Sequence, residues 1–153
     1  TQYGNDGGNG VKLKAKDSDP DPGTYQVTTA GYYTVKININ ALTFSISPYN
    51  AAGATTYNSI GIIGDFNGWG NITPMSKTTF NPHIWTITQT IGANTGLKFR
   101  IDTGWDVNWG SAASNTDGRY GKGQRDGSNL NVKPGTYKIM FNDLTGDYIF
   151  YSK

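Results

Sequence analysis

The feature that most constrains this chain is an internal repeat of strand-patterned sequence. GYYTVKININALTFSI, from Gly31, and GTYKIMFNDLTGDYIF, from Gly135, align without a gap at a shift of 104 residues. The alignment sets Tyr33 on Tyr137, Val35 on Ile139, Ile37 on Phe141, Asn38 on Asn142 and Phe44 on Tyr148. In both copies apolar side chains alternate with polar ones, the period of a strand with one buried face. Further upstream, Tyr3-Gly4 sits over Trp109-Gly110 with a small change of register. Residues 1–47 therefore read as the trailing half of one unit, 48–56 as a small-residue linker, and 57–153 as a complete unit. A half sandwich exposes an apolar face and is marginal alone. The hairpin at 31–47 is thus expected to pack on the complete unit or to pair with a neighbouring chain. The alternative is one enlarged domain with an extra N-terminal hairpin.

The same alternation recurs outside the repeat. Ile60 to Ile63 form a short buried run, Trp85 and Ile87 alternate with threonines, and Leu97, Phe99 and Ile101 interleave with Lys98 and Arg100. Leu130 and Val132 complete the set, and Gly-, Asn- and Asp-rich turns separate the runs. Composition points the same way: all 11 acidic residues are Asp, Glu is absent, and 21 Gly, 15 Asn and 19 Thr favour turns and strands over helices. The expected fold is all-β, an immunoglobulin-like antiparallel β-sandwich with an additional N-terminal hairpin segment.

A net charge of +2, from 13 basic and 11 acidic residues that are scattered, lacks the basic stripe of a nucleic-acid or anionic-lipid partner. With no cysteine, disulfide scaffolds, thiolate zinc sites and thiol catalysis are all excluded. No window has the unbroken apolar run of a membrane-spanning helix. The opening TQYGNDGG carries no basic-then-apolar signal, so Thr1 reads as a cut point inside a longer precursor.

Catalytic patterns are missing. His83, the single histidine, follows Pro82 with no partner motif around it, and is expected to be an exposed loop residue. No Gly-x-Ser-x-Gly elbow, His-Glu-x-x-His helix or phosphate-cradling loop occurs. The aspartates could supply a carboxylate pair for glycoside hydrolysis, but most stand in turns that favour Asp for backbone reasons. Asp17, Asp19 and Asp21 alternate as in calcium loops, yet the run lacks the Gly and the later Glu of such a loop. The expectation is a solvated turn and no cofactor, with calcium as the alternative.

An aromatic and polar constellation is more informative. IGIIGDFNGW ends with Trp69 on a Gly-rich loop, and LKFRIDTGWDVNWG places Trp105 and Trp109 after a strand. If Leu97, Phe99 and Ile101 face the core, Lys98 and Arg100 face away. Sugar rings present an apolar C–H face to an indole while their hydroxyls need Asn, Asp and Lys partners. Trp85, in register with Ile87, reads as a core plug, and Trp69 and Trp105 read as exposed platforms. Trp109 is a third candidate, open between platform and core.

At these residues the chain resembles the SusE/SusF type of starch-binding outer-membrane lipoprotein of the Bacteroidetes. The resemblance rests on the repeated GYYTVKINI…TFSI segment, then IGIIGDFNGWG, Pro74-Met75, LKFRID, WDVNWG and SNLNVKPGTY in series. GDFNGW followed by LKFRIDTGW is also similar to the glycogen-binding domains of AMP-activated kinase β subunits and related starch-binding modules. The resemblance implies a non-catalytic, surface-exposed carbohydrate-binding module, part of a larger lipoprotein or secreted modular protein at the outer face of the outer membrane. Its membrane link would be a lipid anchor upstream, and its partners polysaccharide and other glycan-uptake proteins. The positions it marks for sugar contact are Trp69, Lys98, Trp105 and Asn129, with Trp109 beside them. An α-glucan is the favoured ligand. Xylan or another β-linked glycan, or a purely structural spacer role, are the alternatives.

Overall fold

The computed structural model describes residues 1–8, 10–112 and 118–152. It divides into two compact units, Thr1–Gly53 and Ala54–Lys153. Both are built of antiparallel strands, and no α-helix occurs among the described residues.

Unit 1 consists of two hairpins. Strand β1 (Gln2–Asn5) pairs with β2 (Val11–Lys14), and β3 (Tyr33–Asn38) pairs with β4 (Thr43–Pro48). Asp6 closes the first turn by accepting from the backbone N–H groups of Gly8 and Gly10, the local bond that makes Asp a turn residue. A bridge between Gly10 and Thr43 joins the hairpins. Val11 is the only buried apolar side chain among the described residues of this unit.

Unit 2 is an immunoglobulin-like antiparallel sandwich. In chain order its strands are β5 (Ile60–Gly64), β6 (Thr73–Pro74), β7 (Ser76–Lys77), β8 (Ile84–Ile91), β9 (Thr95–Ile101), β10 (Asn108–Ser111), β11 (Tyr120–Arg125), β12 (Leu130–Val132), β13 (Gly135–Asn142) and β14 (Asp147–Ser152). The spatial order is β6-β5-β9-β10-β11-β14-β13-β8-β7, with β12 also on β9. Two crossings bend this order into facing layers. Met75, buried between β6 and β7, carries the chain from the edge of β5 to the edge of β8. Strand β11 pairs with β10 through Gly123–Arg125 and with β14 through Tyr120–Lys122, so it belongs to both layers. The two ends of the path, β6 and β7, follow each other in the chain, and the sandwich is nearly closed.

The alternation read from the sequence sets the core. Ile60, Ile62, Leu97, Phe99, Trp109, Leu130 and Val132 from one layer meet Trp85, Ile139, Phe141, Tyr148 and Phe150 from the other. Phe99 and Phe141 stack face to face across the interior, 4.3 Å between centroids and 8° from parallel. Trp109 approaches Phe141 edge-on at 5.0 Å, and Tyr57 approaches Trp109 edge-on at 5.6 Å.

The internal repeat is carried into geometry. β3–β4 pairs Tyr33 with Pro48 and Ile37 with Phe44, and β13–β14 pairs Tyr137 with Ser152 and Phe141 with Tyr148. The two hairpins therefore share one register at the sequence shift. Their hydrogen bonds repeat as well. The Tyr33 hydroxyl donates to the Thr29 carbonyl, as Tyr137 does to Lys133, and Asn38 and Asn142 each accept from the backbone N–H two residues on. Asn5 exchanges backbone bonds with Gly23 as Ser111 does with Ser128. Gly4 and Gly110 are both glycine for the same reason: a Cβ at either would strike the carbonyl of Gly23 or Ser128.

Two sequence expectations change here. Trp109 stands on β10 and not on a turn, because Asn108–Trp109 pairs with Phe99–Arg100 and turns the indole into the core. His83 is buried and not exposed: its Nδ1 lies 2.6 Å from Asp143 Oδ1, while Asp143 Oδ2 accepts from Trp85 Nε1 at 2.7 Å. Asp143 sits 60 residues downstream in the β13–β14 turn, so no local motif announces the pair.

Asp143→Ala would leave two buried donors without their shared acceptor. We expect a loss of about 2–5 kcal/mol of stability in urea unfolding. Asp147→Ala, at an exposed strand start, is expected to change stability by less than about 0.5 kcal/mol.

Candidate functional site

The site is built on the outward face of β9. With Leu97 and Phe99 turned inward, Gly96, Lys98 and Arg100 line the opposite side. The β5–β6 loop flanks this row on one side, and the loops leading to β10 and β12 flank it on the other.

The β5–β6 loop presents Trp69. After Gly64 the chain makes a short 3-10 turn, Asp65–Asn67, and then two successive residues, Gly68 (φ 68°) and Trp69 (φ 59°), adopt the left-handed conformation. Glycine takes this conformation freely, but for a bulky residue it is strained. Three groups hold it. Asn67 Oδ1 accepts from the Gly64 N–H while its Nδ2 donates to Asn71 O and Thr73 Oγ1, which fixes the loop to itself. The Trp69 N–H donates to the Gly64 carbonyl, and Trp69 Nε1 donates to Asp65 Oδ1 at 2.7 Å. Asp65 Oδ2 in turn accepts from the Gly96 N–H at 2.6 Å, tying the loop to β9. The Gly96 bond, and then the Trp69 bond, hold the Asp65 carboxyl below its ordinary range, because both favour the ionised form.

Trp105 enters from the loop between β9 and β10 and is 44% exposed. Its ring lies 6.1 Å from that of Trp69, centroid to centroid, with 34° between the planes. Arg100 packs against the Trp105 ring, with its guanidinium carbon 4.8 Å from the centroid. Only 6% of Arg100 is exposed, its Nε meets no acceptor, and a long 3.4 Å bond runs from its terminal nitrogen to Gly70 O. Lys98 Nζ stands 5.9 Å from the same ring and donates to Asn108 Oδ1 at 2.8 Å. Asn108, buried, donates onward to the Trp105 carbonyl and to Asp126 Oδ1. Lys98, with three ammonium protons, commits one of them to Asn108 among the described residues.

Of the five residues marked by the sequence, four share this face. Trp69 and Trp105 form a tilted pair, Lys98 adjoins Trp105, and Asn129 stands near Gly96. A Cβ placed at Gly96 would lie 3.0 Å from Asn129 Nδ2 and 3.2 Å from Asp65 Oδ2. Trp109 is not among them. It is 4% exposed, enclosed by Tyr57, Phe141 and the Arg125 guanidinium, and has no face to offer. Asp65, Arg100, Asn108 and Asp126 were not singled out from the sequence as supports. Arg100 carried one signal, its i+2 relation to Lys98 on a strand. Asn108 and Asp126, 18 residues apart, carried none.

Beside Asp65 and Gly96 lies an open recess of about 490 Å³, also lined by Asn94, Asn131 and Lys133. Two of the three alternating aspartates of unit 1 have internal roles: Asp19 accepts from the backbone N–H groups of Ala15 and Lys16, and Asp21 pairs with Lys14 Nζ at 2.6 Å. Among the described residues no group of three His, Asp or Glu side chains is placed to hold a metal ion.

No protein-family model matches the chain, and no curated protein matches it. Among solved structures, the crystal structure of SusF from Bacteroides thetaiotaomicron is similar in fold, with a TM-score of 0.53 and 17% sequence identity. The match covers 70% of this chain and 26% of that one, so the chain spans about a quarter of the structure it resembles.

Because the Asp65 carboxyl is held below its ordinary range, its contribution to the loop is fully present above about pH 4, the unfolded value. It is lost as the pH falls through the lower folded value. A change in Trp69 emission is therefore expected only below about pH 4. Asp65→Asn is expected to abolish that acid step, as followed by fluorescence titration.

Proposed function

We propose that unit 2 is a non-catalytic carbohydrate-binding module that captures polysaccharide at the cell surface, with an α-glucan as its ligand. The observation that carries this reading is the Trp69–Trp105 pair, two indoles 6.1 Å apart and inclined by 34°. Neighbouring rings of a curved α-glucan present their C–H faces at an angle, whereas a flat β-linked chain favours coplanar platforms. An inclined pair suits the curved chain.

The polar groups fit the same role. Lys98, beside the Trp105 ring, and the Asn129 amide, beside Gly96, would hydrogen-bond sugar hydroxyls. Trp69 Nε1 is already bound to Asp65, so this indole contributes its face and not its edge. The fold likeness to SusF and the sequence resemblance to SusE/SusF-type lipoproteins support placement in a surface polysaccharide-capture system. There the chain would be part of a larger lipoprotein or secreted modular protein and act alongside other glycan-uptake proteins. No catalytic role is assigned to any residue of the face.

Affinity-gel electrophoresis on amylose, glycogen, xylan and mixed-linkage β-glucan tests the proposal. Retardation is expected on the α-glucans. Trp69→Ala and Trp105→Ala are each expected to weaken it by about 10- to 100-fold, the scale of about 1–3 kcal/mol for one stacked ring. Retention on xylan alone would replace the α-glucan with a β-linked ligand. Mobility unchanged on every gel would leave the module a structural spacer.

A further inference from the structure

Arg100 is a buried cation that meets no carboxylate among the described residues. Its Nε has no acceptor, and its bond to the Gly70 carbonyl is long, at 3.4 Å. A guanidinium withdrawn from water and bonded this poorly is destabilising at its site. An apolar side chain of similar length would fill the same space without that penalty. The position is therefore explained by what the guanidinium touches and not by a gain in stability.

It touches both loops that carry the indoles. The cross-strand neighbours of Arg100 are Gly61 of β5 and Asn108 of β10. Position 61 has to be glycine because the chain at Ile72–Thr73 lies directly on it, and a Cβ there would strike the Thr73 carbonyl. That close approach keeps the end of the Trp69 loop near β5, with the Gly70 carbonyl facing the Arg100 terminal nitrogen. On the other side, Asn108 Nδ2 donates to the Trp105 carbonyl. This bond holds the Trp105 backbone but does not set χ1 and χ2 of its ring. The guanidinium, 4.8 Å from the ring centroid, is the nearer of the two cations over that ring; Lys98 Nζ lies at 5.9 Å and donates to Asn108.

We infer that Arg100 is a positioning residue for the two platforms: its guanidinium, set between Gly70 and the Trp105 ring, fixes the inclination of Trp105 to Trp69 and with it the curvature of glycan that the pair accepts. The link to curvature rests on the reading of this pair as a glycan site. Trp69 is already referred to β9 through Asp65 and the Gly96 N–H. Both rings thus take their angle from one strand, one through a carboxylate and the other through a guanidinium. A planar guanidinium stacks on an indole while its N–H edge reaches a carbonyl, whereas an ammonium is a point charge and does not stack. With one face of Trp105 on Arg100, a sugar ring takes the other.

Circular dichroism, affinity-gel electrophoresis and urea unfolding of Arg100→Met and Arg100→Lys test the inference. Two indoles 6.1 Å apart couple their electronic transitions, and the sign and size of the far-ultraviolet couplet follow their mutual angle. Trp69→Ala and Trp105→Ala, each lacking one partner, define the part of the spectrum that belongs to the pair. In Arg100→Met the couplet is expected to shrink towards the Trp105→Ala spectrum, with the urea midpoint unchanged or raised. Retardation on amylose is expected to weaken by about 10-fold, and the preference for amylose over mixed-linkage β-glucan to narrow. Arg100→Lys is expected to behave as Arg100→Met does. A couplet or an amylose affinity that stays unchanged in Arg100→Met would overturn the inference. So would full rescue by Arg100→Lys, because charge alone would then suffice, or a lowered urea midpoint in Arg100→Met, which would make Arg100 a structural residue. If the unsubstituted chain is retained on no gel, the glycan reading and the link to curvature fall together, and the couplet then supports or overturns the positioning of Trp105 alone.

Discussion

The stacked pair of Phe99 and Phe141 is the contact on which unit 2 depends. It joins β9 to β13, the central strands of the two layers, and Trp109, Tyr148 and Phe150 all pack on one or other ring. Few aliphatic side chains are available in a chain with 35% hydrophobic residues, so aromatic rings supply the thickness that separates the layers. The same contact orients the functional face. With Phe99 turned inward, Lys98 and Arg100 must turn outward, since successive side chains of a strand point to opposite faces. Core and candidate site are therefore two sides of one strand, fixed by one alternation.

Much of this was legible in the sequence. The repeat aligned the two hairpin sequences without a gap, and their registers coincide at the same shift. The alternation of 97–101 separated Leu97 and Phe99, which face the core, from Lys98 and Arg100 on the other side of the strand. What could not be read was set by partners distant along the chain. His83 looked solvent-exposed because Asp143 lies in another hairpin, and Trp109 looked ambiguous because its burial depends on pairing with Phe99. Neither β10 nor β11 was read as a strand: glycines interrupt both, and glycine weakens the pattern even where, as at Gly110, the fold requires it.

The two units show what a repeated sequence does and does not determine. Local terms (the turn bonds of Asn38, the hydroxyl bond of Tyr33, the cross-strand order) reappear without the rest of the domain. Burial does not reappear, since it is a property of the complete layer pair and not of the hairpin. Residues 24–29, which align on 129–134 at a shift of 105 residues, form no strand, whereas Leu130–Val132 pairs with β9.

The manner in which Trp69 is held has a consequence for evolution. Its ring angle is set by a left-handed backbone pair, an Asn-centred loop and a single carboxylate, and none of these belongs to the core. Substitution at position 65, 67 or 68 would re-aim the indole while the packing of the sandwich stays as it is. The inclination between the two rings is thus a separately inheritable trait. Related sequences on one scaffold can therefore differ in this angle while keeping the Phe99–Phe141 contact.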